Sequence, residues 1–215
     1  MPDLAAERIN YSGEQLLEAE VPSSPFPLFE RWLEAAFQAK EDGVLPEPTA
    51  MVVATADAGR PSARTVLLKE LDADGFVFFT NYTSRKGGEL AAQPAVALHF
   101  GWYAIQRQVR IEGTAEKVAR AESEAYFATR PRGSQLGAWA SAQSSAVGSV
   151  ADLEAAYAAA EQRFAGRDVP CPDHWGGYLV RPVEIEFWQG RPSRMHDRLV
   201  YRGDGGGWTI SRLAP

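Results

Sequence analysis

Cysteine is almost absent: Cys171 is the only one in 215 residues. An internal disulfide is therefore excluded, and the composition fits a reducing cytosol. Histidine is nearly as scarce. His99, His174 and His196 are scattered, and none stands at metal-ligand spacing from Cys171. No metal is expected. No apolar run approaches the roughly 18 residues needed to span a bilayer. The opening residues, from Met1 to Arg8, are polar and hold no signal-peptide core, so a cytoplasmic location is expected. Basic charge is not in excess either. A net charge of −6 argues against broad nucleic-acid binding, which needs a basic face. It leaves room for a local basic pocket. Internal repeats and low-complexity tracts are also lacking.

The rest of the composition is that of an ordinary globular chain, 45% hydrophobic and 23% charged. Leu28, Phe29, Trp32, Leu33, Ala36 and Phe37 make one helical stripe over residues 27–39. Met51 to Ala56 reads as a buried strand, Asp57-Ala58-Gly59-Arg60 as its turn, and Ser62 to Lys69 as the returning strand. A second turn at Asp72-Ala73-Asp74-Gly75 leads to a strand over Phe76 to Thr80. Two more strands are expected over Ala95 to Trp102 and Gln106 to Val118. Helices follow over Ala121 to Thr129, around Leu136 to Ser141, and over Asp152 to Phe164, where Leu153, Ala156, Tyr157, Ala160 and Phe164 share a stripe. Strands over Tyr178 to Trp188, Asp197 to Arg202 and Trp208 to Leu213 close the chain, with Gly203 to Gly207 as a hairpin tip. Short strands joined by tight turns, without βαβ alternation, predict a mainly β antiparallel barrel with flanking helices.

Several segments carry ligand-binding chemistry. Arg194, His196 and Arg198 alternate, and in an extended strand alternate residues face one side. Two guanidinium groups and a titratable ring aimed at one spot suit a planar anion. Arg64 and Lys69 bracket an apolar strand, and strand parity puts them on opposite faces. Ser84 is placed to cap a helix whose first turn carries Arg85 and Lys86. Cations there oppose the helix dipole, and a bound phosphate would give them a reason to be present. Tyr126 and Arg130 are four apart on a helix that Pro131 ends, and Ser134 follows. A phenol, a guanidinium and a hydroxyl together suit a phosphate. The stretch from Ala138 to Ser145 adds uncharged donors, among them Gln143 and Ser144, although alone it reads as a helix C-terminus.

Taken together, these segments resemble the pyridoxamine/pyridoxine 5′-phosphate oxidases, flavoenzymes of vitamin B6 metabolism. The resemblance runs from about Pro27 to Pro215. It rests on Arg64 to Lys69, Phe79-Thr80-Asn81, Ser84-Arg85-Lys86, Arg107-Gln108, Arg130 to Gln135, Gly137-Ala138-Trp139 and Gln143-Ser144-Ser145. It continues through Trp175-Gly176-Gly177, Phe187 to Gly190, Arg194 to Arg198 and the terminal Arg212-Leu213-Ala214-Pro215. Each motif alone is weak; their number, order and spacing are specific. Arg8 and Tyr11 are similar to an Arg-x-x-Tyr lid element of the family, so residues 1–26 are expected to form a lid-like N-terminal segment before a single domain over 27–215.

The resemblance implies an FMN-binding split β-barrel, antiparallel and Greek-key-like, in a homodimer with FMN at the subunit interface. It implies FMN contacts from Arg64, Thr65, Val66, Leu67, Leu68, Lys69, Phe79, Thr80, Arg85, Lys86, Gln108, Gln143, Ser144, Trp188 and Arg198. It implies substrate contacts from Lys69, Tyr126, Arg130, Ser134, Arg194 and His196, the last two also catalytic. The implied activity oxidises pyridoxamine or pyridoxine 5′-phosphate to pyridoxal 5′-phosphate while O2 becomes hydrogen peroxide. In it Lys69, Tyr126, Arg130 and Ser134 anchor the phosphate, Arg194 lies against the pyridine ring, and His196 orients the reacting end. No general base is assigned. Two basic clusters suit two phosphates, one on FMN and one on the B6 vitamer. Three alternatives stay open: a related flavin oxidase of the phenazine-pathway type, a non-catalytic FMN or pyridoxal phosphate carrier, and a structural protein with no ligand.

Overall fold

The stripe expected over residues 27–39 forms α1 (Pro25–Glu41) in a computed structural model of the protein, which describes residues 1–6 and 8–215. Leu28, Phe29, Trp32 and Ala36 are buried, as their spacing predicts. Phe37 is not: it stays 42% exposed, and Ala39 takes the inward position instead. The strands are β1 (Ala50–Asp57), β2 (Arg60–Leu67), β3 (Glu70–Asp72), β4 (Gly75–Asn81), β5 (Ala95–Trp102), β6 (Arg107–Lys117), β7 (Trp175–Gln189), β8 (Asp197–Gly203) and β9 (Trp208–Arg212). The remaining helices are α2 (Arg85–Ala92), α3 (Arg120–Thr129), α4 (Arg132–Ala140) and α5 (Val150–Arg163). Along α5 only Ala160 and the following Phe164 are buried, while Leu153 and Tyr157 remain exposed.

The nine described strands form one sheet along the open path β2-β1-β5-β6-β7-β4-β3, with β8 on β7 and β9 on β8. The pairings of β3 with β4, β4 with β7, β7 with β8 and β8 with β9 are antiparallel. Strand β7 changes partner along its length. Its first part, through Val180, pairs with β4, and from Glu184 onward it pairs with β8. Pro182 lies between the two registers.

The chain gathers into two compact units, each assembled from separate segments. The first comprises residues 1–53, 97–113 and 182–215. Its core packs Phe29 against Phe100 at 5.0 Å and Trp32 against Phe187 at 5.2 Å. Two polar ring atoms in it are satisfied by backbone: Trp102 Nε1 donates to Pro48 O at 2.9 Å, and the Tyr201 hydroxyl donates to Pro22 O at 2.9 Å. The second unit comprises residues 54–96 and 114–181. It buries Phe76, Phe78 and Val180, and a further cluster joins Phe127, Leu136, Phe164 and Trp175. Each large apolar side chain so removed from water stabilises by roughly 1.5–3 kcal/mol.

Candidate active site

Each unit carries a cavity lined by expected site residues. The cavity of the second unit, about 790 Å³, is walled by β2, β4, the start of α2 and the α3–α4 junction. Arg64, Thr65, Val66, Leu67 and Lys69 line one side; Phe79, Thr80, Arg85 and Lys86 line the next. Tyr126, Arg130, Ser134, Gln143 and Ser144 complete it. Five cations thus face this space, and among the described residues no carboxylate does. The two basic clusters separated in sequence meet in one cavity. Leu68, expected beside them, is buried and not in the wall.

The local chain explains these positions. Ser84 caps α2: its Oγ accepts from Gly87 N at 3.3 Å. That start aims Lys86 inward, where Nζ donates to Thr80 Oγ1 at 2.9 Å and to Gln143 Oε1 at 2.6 Å. Burial, helped by the charge of Arg64, pulls the Lys86 ammonium from 10.5 down to about 8. Arg85 stays exposed and pairs with Glu89 one turn on, at 2.8 Å. At the far wall Tyr126 stacks on Phe79, with centroids 4.0 Å apart, and Phe79 stacks on Trp175 at 5.5 Å. Gly177 leaves room for this, since a Cβ there would lie 2.8 Å from both Phe79 and Val118. The Arg130 guanidinium sits 4.6 Å above the Trp175 ring. Its Nη1 is buried with no hydrogen-bond acceptor among the described residues. Burial pushes the Tyr126 phenol up and the Arg130 guanidinium down.

The parity argument for Arg64 and Lys69 fails. Strand β2 ends at Leu67, Leu68 turns inward, and Lys69 N donates to Val77 O at 2.8 Å. The alternation does not reach Lys69, which lines the same cavity as Arg64.

The first unit has a cavity of about 750 Å³, lined by Arg8, Tyr11, Trp188, Arg191, Arg194 and His196, among others. Tyr11 meets Trp188 and His196 edge-on, with centroids at 5.5 and 5.2 Å, and Trp188 lies 4.6 Å from His196. The N-terminal segment is tied down nearby. Arg191 Nη1 donates to Gly13 O at 2.8 Å, and Arg212 pairs with Glu18 and Asp197 at 2.7 and 2.6 Å. His196 Nδ1 accepts from Arg191 N at 3.1 Å. Burial, with the Arg194 charge, lowers the His196 pKa, which favours the neutral ring.

The extended alternation of Arg194, His196 and Arg198 is not observed. Pro192–Arg194 is a 3₁₀ turn, and Ser193 and Arg194 have φ of 56° and 61°. Strand β8 begins only at Asp197. Arg194 and His196 reach the cavity from this turn, whereas Arg198 Nε donates to Glu186 Oε1 at 2.6 Å and is not in the wall. Gln108 is also outside, its Oε1 3.0 Å from His99 Nε2. Ser62, Trp175 and Arg191 in the walls and Glu89 behind them were not among the expected site residues. Of these, Trp175 stood in a motif of the resemblance, and Glu89 carried a signal in its spacing of four from Arg85.

Among the described residues no helix is long and apolar enough to cross a membrane, and no cluster could hold a metal.

Known proteins match this arrangement closely. Residues 37–164 match the family described as pyridoxamine 5′-phosphate oxidase, and residues 175–215 match the pyridoxine 5′-phosphate oxidase C-terminal dimerisation region. A pyridoxine/pyridoxamine 5′-phosphate oxidase of Burkholderia multivorans is 57% identical over 219 residues, covering all of both chains. One of Polynucleobacter asymbioticus is 52% identical over 216 residues, again covering both fully. The solved structure of PhzG from Burkholderia lata, in complex with tetrahydrophenazine-1-carboxylic acid, is 32% identical with a TM-score of 0.86. It spans 95% of this chain and 100% of its own. An FMN-binding protein of Nostoc punctiforme, 15% identical, shares the fold at a TM-score of 0.69 over 87% of this chain and 97% of its own. The mainly antiparallel sheet with flanking helices is therefore of the split-barrel class. The chain belongs to the pyridoxamine 5′-phosphate oxidase family of oxidoreductases.

Proposed function

We propose that the protein oxidises pyridoxamine 5′-phosphate and pyridoxine 5′-phosphate to pyridoxal 5′-phosphate, using FMN and passing the electrons to O2 as hydrogen peroxide; with the amine, water supplies the aldehyde oxygen and ammonia leaves. The observation that carries this reading is the cavity of about 790 Å³ with five cations, no lining carboxylate among the described residues and the orphaned Arg130 Nη1. A buried guanidinium nitrogen without an acceptor calls for an anionic ligand. The donor set fits two phosphorylated ligands. Arg64, Arg85, Lys86 and the Gln143–Ser144 loop would hold the FMN phosphate, with Thr65 to Leu67, Phe79 and Thr80 beside it. Lys69, Tyr126, Arg130 and Ser134 would hold the phosphate of the vitamer.

FMN, when bound, supplies the two-electron redox chemistry. The chain's own groups bind, orient and exclude water. The stacked Tyr126, Phe79 and Trp175 form a rigid wall. In the first unit, Arg194 offers a guanidinium to a planar ring, and neutral His196, its Nδ1 occupied by Arg191 N, keeps Nε2 for the substrate's reacting end. Tyr11 and Arg8, in the same wall, would act as the lid. We further read the protein as a homodimer with FMN at the interface, supported by the match of residues 175–215 to a dimerisation region. Trp188, Gln108 and Arg198 complete the proposed FMN set. Cytoplasmic location remains part of this reading.

A second reading, oxidation of a reduced phenazine, draws support from the likeness to PhzG. The phenazine's carboxylate could also answer Arg130, but Lys69, Tyr126, Arg130 and Ser134 together offer more donors than its two oxygens use and suit the three terminal oxygens of a phosphate. The test is an absorbance spectrum of purified protein, followed by peroxide measurement in air. Pyridoxamine 5′-phosphate and tetrahydrophenazine-1-carboxylic acid are supplied separately. Flavin absorption and peroxide from the first substrate are expected. Peroxide from the phenazine alone would overturn the assignment, as would a protein that takes up no FMN.

A further inference from the structure

Two of the five cations of the second unit's cavity, Arg64 and Arg85, share one buried carboxylate that does not itself face the ligand space. Glu89, on α2, has a side chain only 6% exposed. Its Oε1 accepts from Arg85 Nε at 2.8 Å. Its Oε2 accepts from Arg64 Nη2 at 3.0 Å, from Ser62 Oγ at 2.6 Å and from the Thr55 hydroxyl. Arg64 is gripped further: Nη1 donates to Thr55 Oγ1 at 2.5 Å and Nη2 to Ser62 Oγ at 2.5 Å. One side chain thus ties β1, β2 and α2 together behind the cavity wall. Arg64 and Arg85 are in that wall; Glu89 and Thr55 are not.

A long arginine side chain loses much rotamer freedom when it binds an anion. If it is already fixed, the ligand meets a pre-set donor and that loss is not charged to binding. A buried carboxylate is tolerated only when hydrogen-bonded and paired, and the hydroxyls of Ser62 and Thr55, with both guanidinium groups, meet that need. They hold its carboxyl down at about 2, so it stays ionised throughout the neutral range. The cluster keeps a net positive charge, since two guanidinium groups outweigh one carboxylate.

We propose that Glu89 is a positioning residue of the anion site: it fixes Arg64 and Arg85 in the orientation that presents them to a ligand phosphate. This rests on the flavin reading for the identity of the ligand, but not for the existence of the anion site.

The experiment titrates apoprotein with FMN and with riboflavin, which has the same ring system and no phosphate, following flavin fluorescence. Inorganic phosphate is added in a separate arm that reads the rise in Tm. Glu89→Gln is expected to weaken FMN by about tenfold, the loss of roughly one well-oriented charge-assisted contact. Riboflavin affinity should hold within about twofold, and the Tm rise from phosphate should shrink. In an Arg85→Ala background the Glu89→Gln effect on FMN should be smaller, because part of what Glu89 positions is gone. If Glu89→Gln does not fold, Glu89→Asp keeps the charge on a stem one methylene shorter and should show the same phosphate-selective loss. Equal or tighter FMN binding in Glu89→Gln would overturn the proposal, because Glu89 would then be a competing anion. Equal losses for FMN and riboflavin would overturn it too, marking a general structural role. Wild-type protein that ignores FMN yet gains Tm from phosphate would sink the flavin reading alone. The phosphate arm then decides on Glu89, and an undiminished Tm rise in Glu89→Gln counts against it.

Discussion

Replacing Lys86 by methionine should separate stability from ligand affinity, and with opposite signs. Lys86 is 7% exposed, and burial brings its pKa from 10.5 down to about 8. Its folded value lies below its unfolded one, so the unfolded chain holds that proton more tightly. At neutral pH the charged group therefore destabilises the fold by about 3 kcal/mol, at about 1.4 kcal/mol per pH unit. Methionine of similar length removes that cost. It also removes the donor to buried Thr80 Oγ1, to buried Ser84 Oγ and to exposed Gln143 Oε1. The Ser84 hydroxyl keeps Gly87 N as a donor and Gln143 can turn to water, whereas the Thr80 hydroxyl, left with at most its long 3.4 Å bond to Gln143, loses its better partner at a cost of about 1–3 kcal/mol. The apoprotein should end between unchanged and about 2 kcal/mol more stable. FMN affinity should fall by about ten- to a hundredfold, for one lost charge-assisted contact of roughly 1.5–3 kcal/mol. Urea unfolding of apoprotein gives the first quantity and fluorescence titration with FMN the second. A variant more than about 2 kcal/mol less stable that still binds FMN as wild type does would refute the reasoning.

Other expectations follow from the same geometry. Arg130→Ala should raise KM for pyridoxamine 5′-phosphate strongly and leave kcat less affected, because a phosphate anchor binds ground and transition state alike; steady-state kinetics with unchanged FMN content checks it. Arg194→Lys should not restore wild-type kcat/KM, since an ammonium lacks the planar guanidinium face, and full activity in that variant would contradict the role given to Arg194. FMN affinity of the apoprotein should decline as pH rises through about 8, where free Lys86 loses its proton; riboflavin binding should stay level, and a flat FMN profile from pH 7 to about 9.5 would count against Lys86 as a phosphate ligand. Gly177→Ala should cost about 1–3 kcal/mol by pressing a methyl into Phe79 and Val118, read as a lower urea midpoint.

Local order was legible wherever periodicity and capping act alone. Most of the stripe of α1, the Ser84 cap and the strand β5 were readable from residue type and spacing. What escaped depended on the chain leaving regular structure without the usual markers. Ser193 and Arg194 take left-handed φ values, though neither is the glycine or asparagine that would announce such a turn. An extended reading of Arg194, His196 and Arg198 followed, and one turn undid it. Lys69 escaped similarly: β2 stops two residues earlier, and parity has no meaning past a strand end. The meeting of the Arg64 and Arg130 clusters is a tertiary fact, because β2 and the α3–α4 junction are far apart in sequence. Glu89 was half visible. Its spacing from Arg85 marks a helix pair, but only the fold brings Thr55, Ser62 and Arg64 to it.

Each cavity has a tryptophan in its wall, Trp175 in the second unit and Trp188 in the first. The protein thereby carries an optical probe at each place. A flavin bound beside Trp175 accepts its excitation energy and quenches its emission. The half-buried Trp188, tilted against His196 at 4.6 Å, belongs to the proposed flavin set and would be quenched in the same way. Subtracting the spectrum of Trp175→Phe or Trp188→Phe from that of the parent isolates one signal. Filling of the two cavities can then be timed separately, without any label.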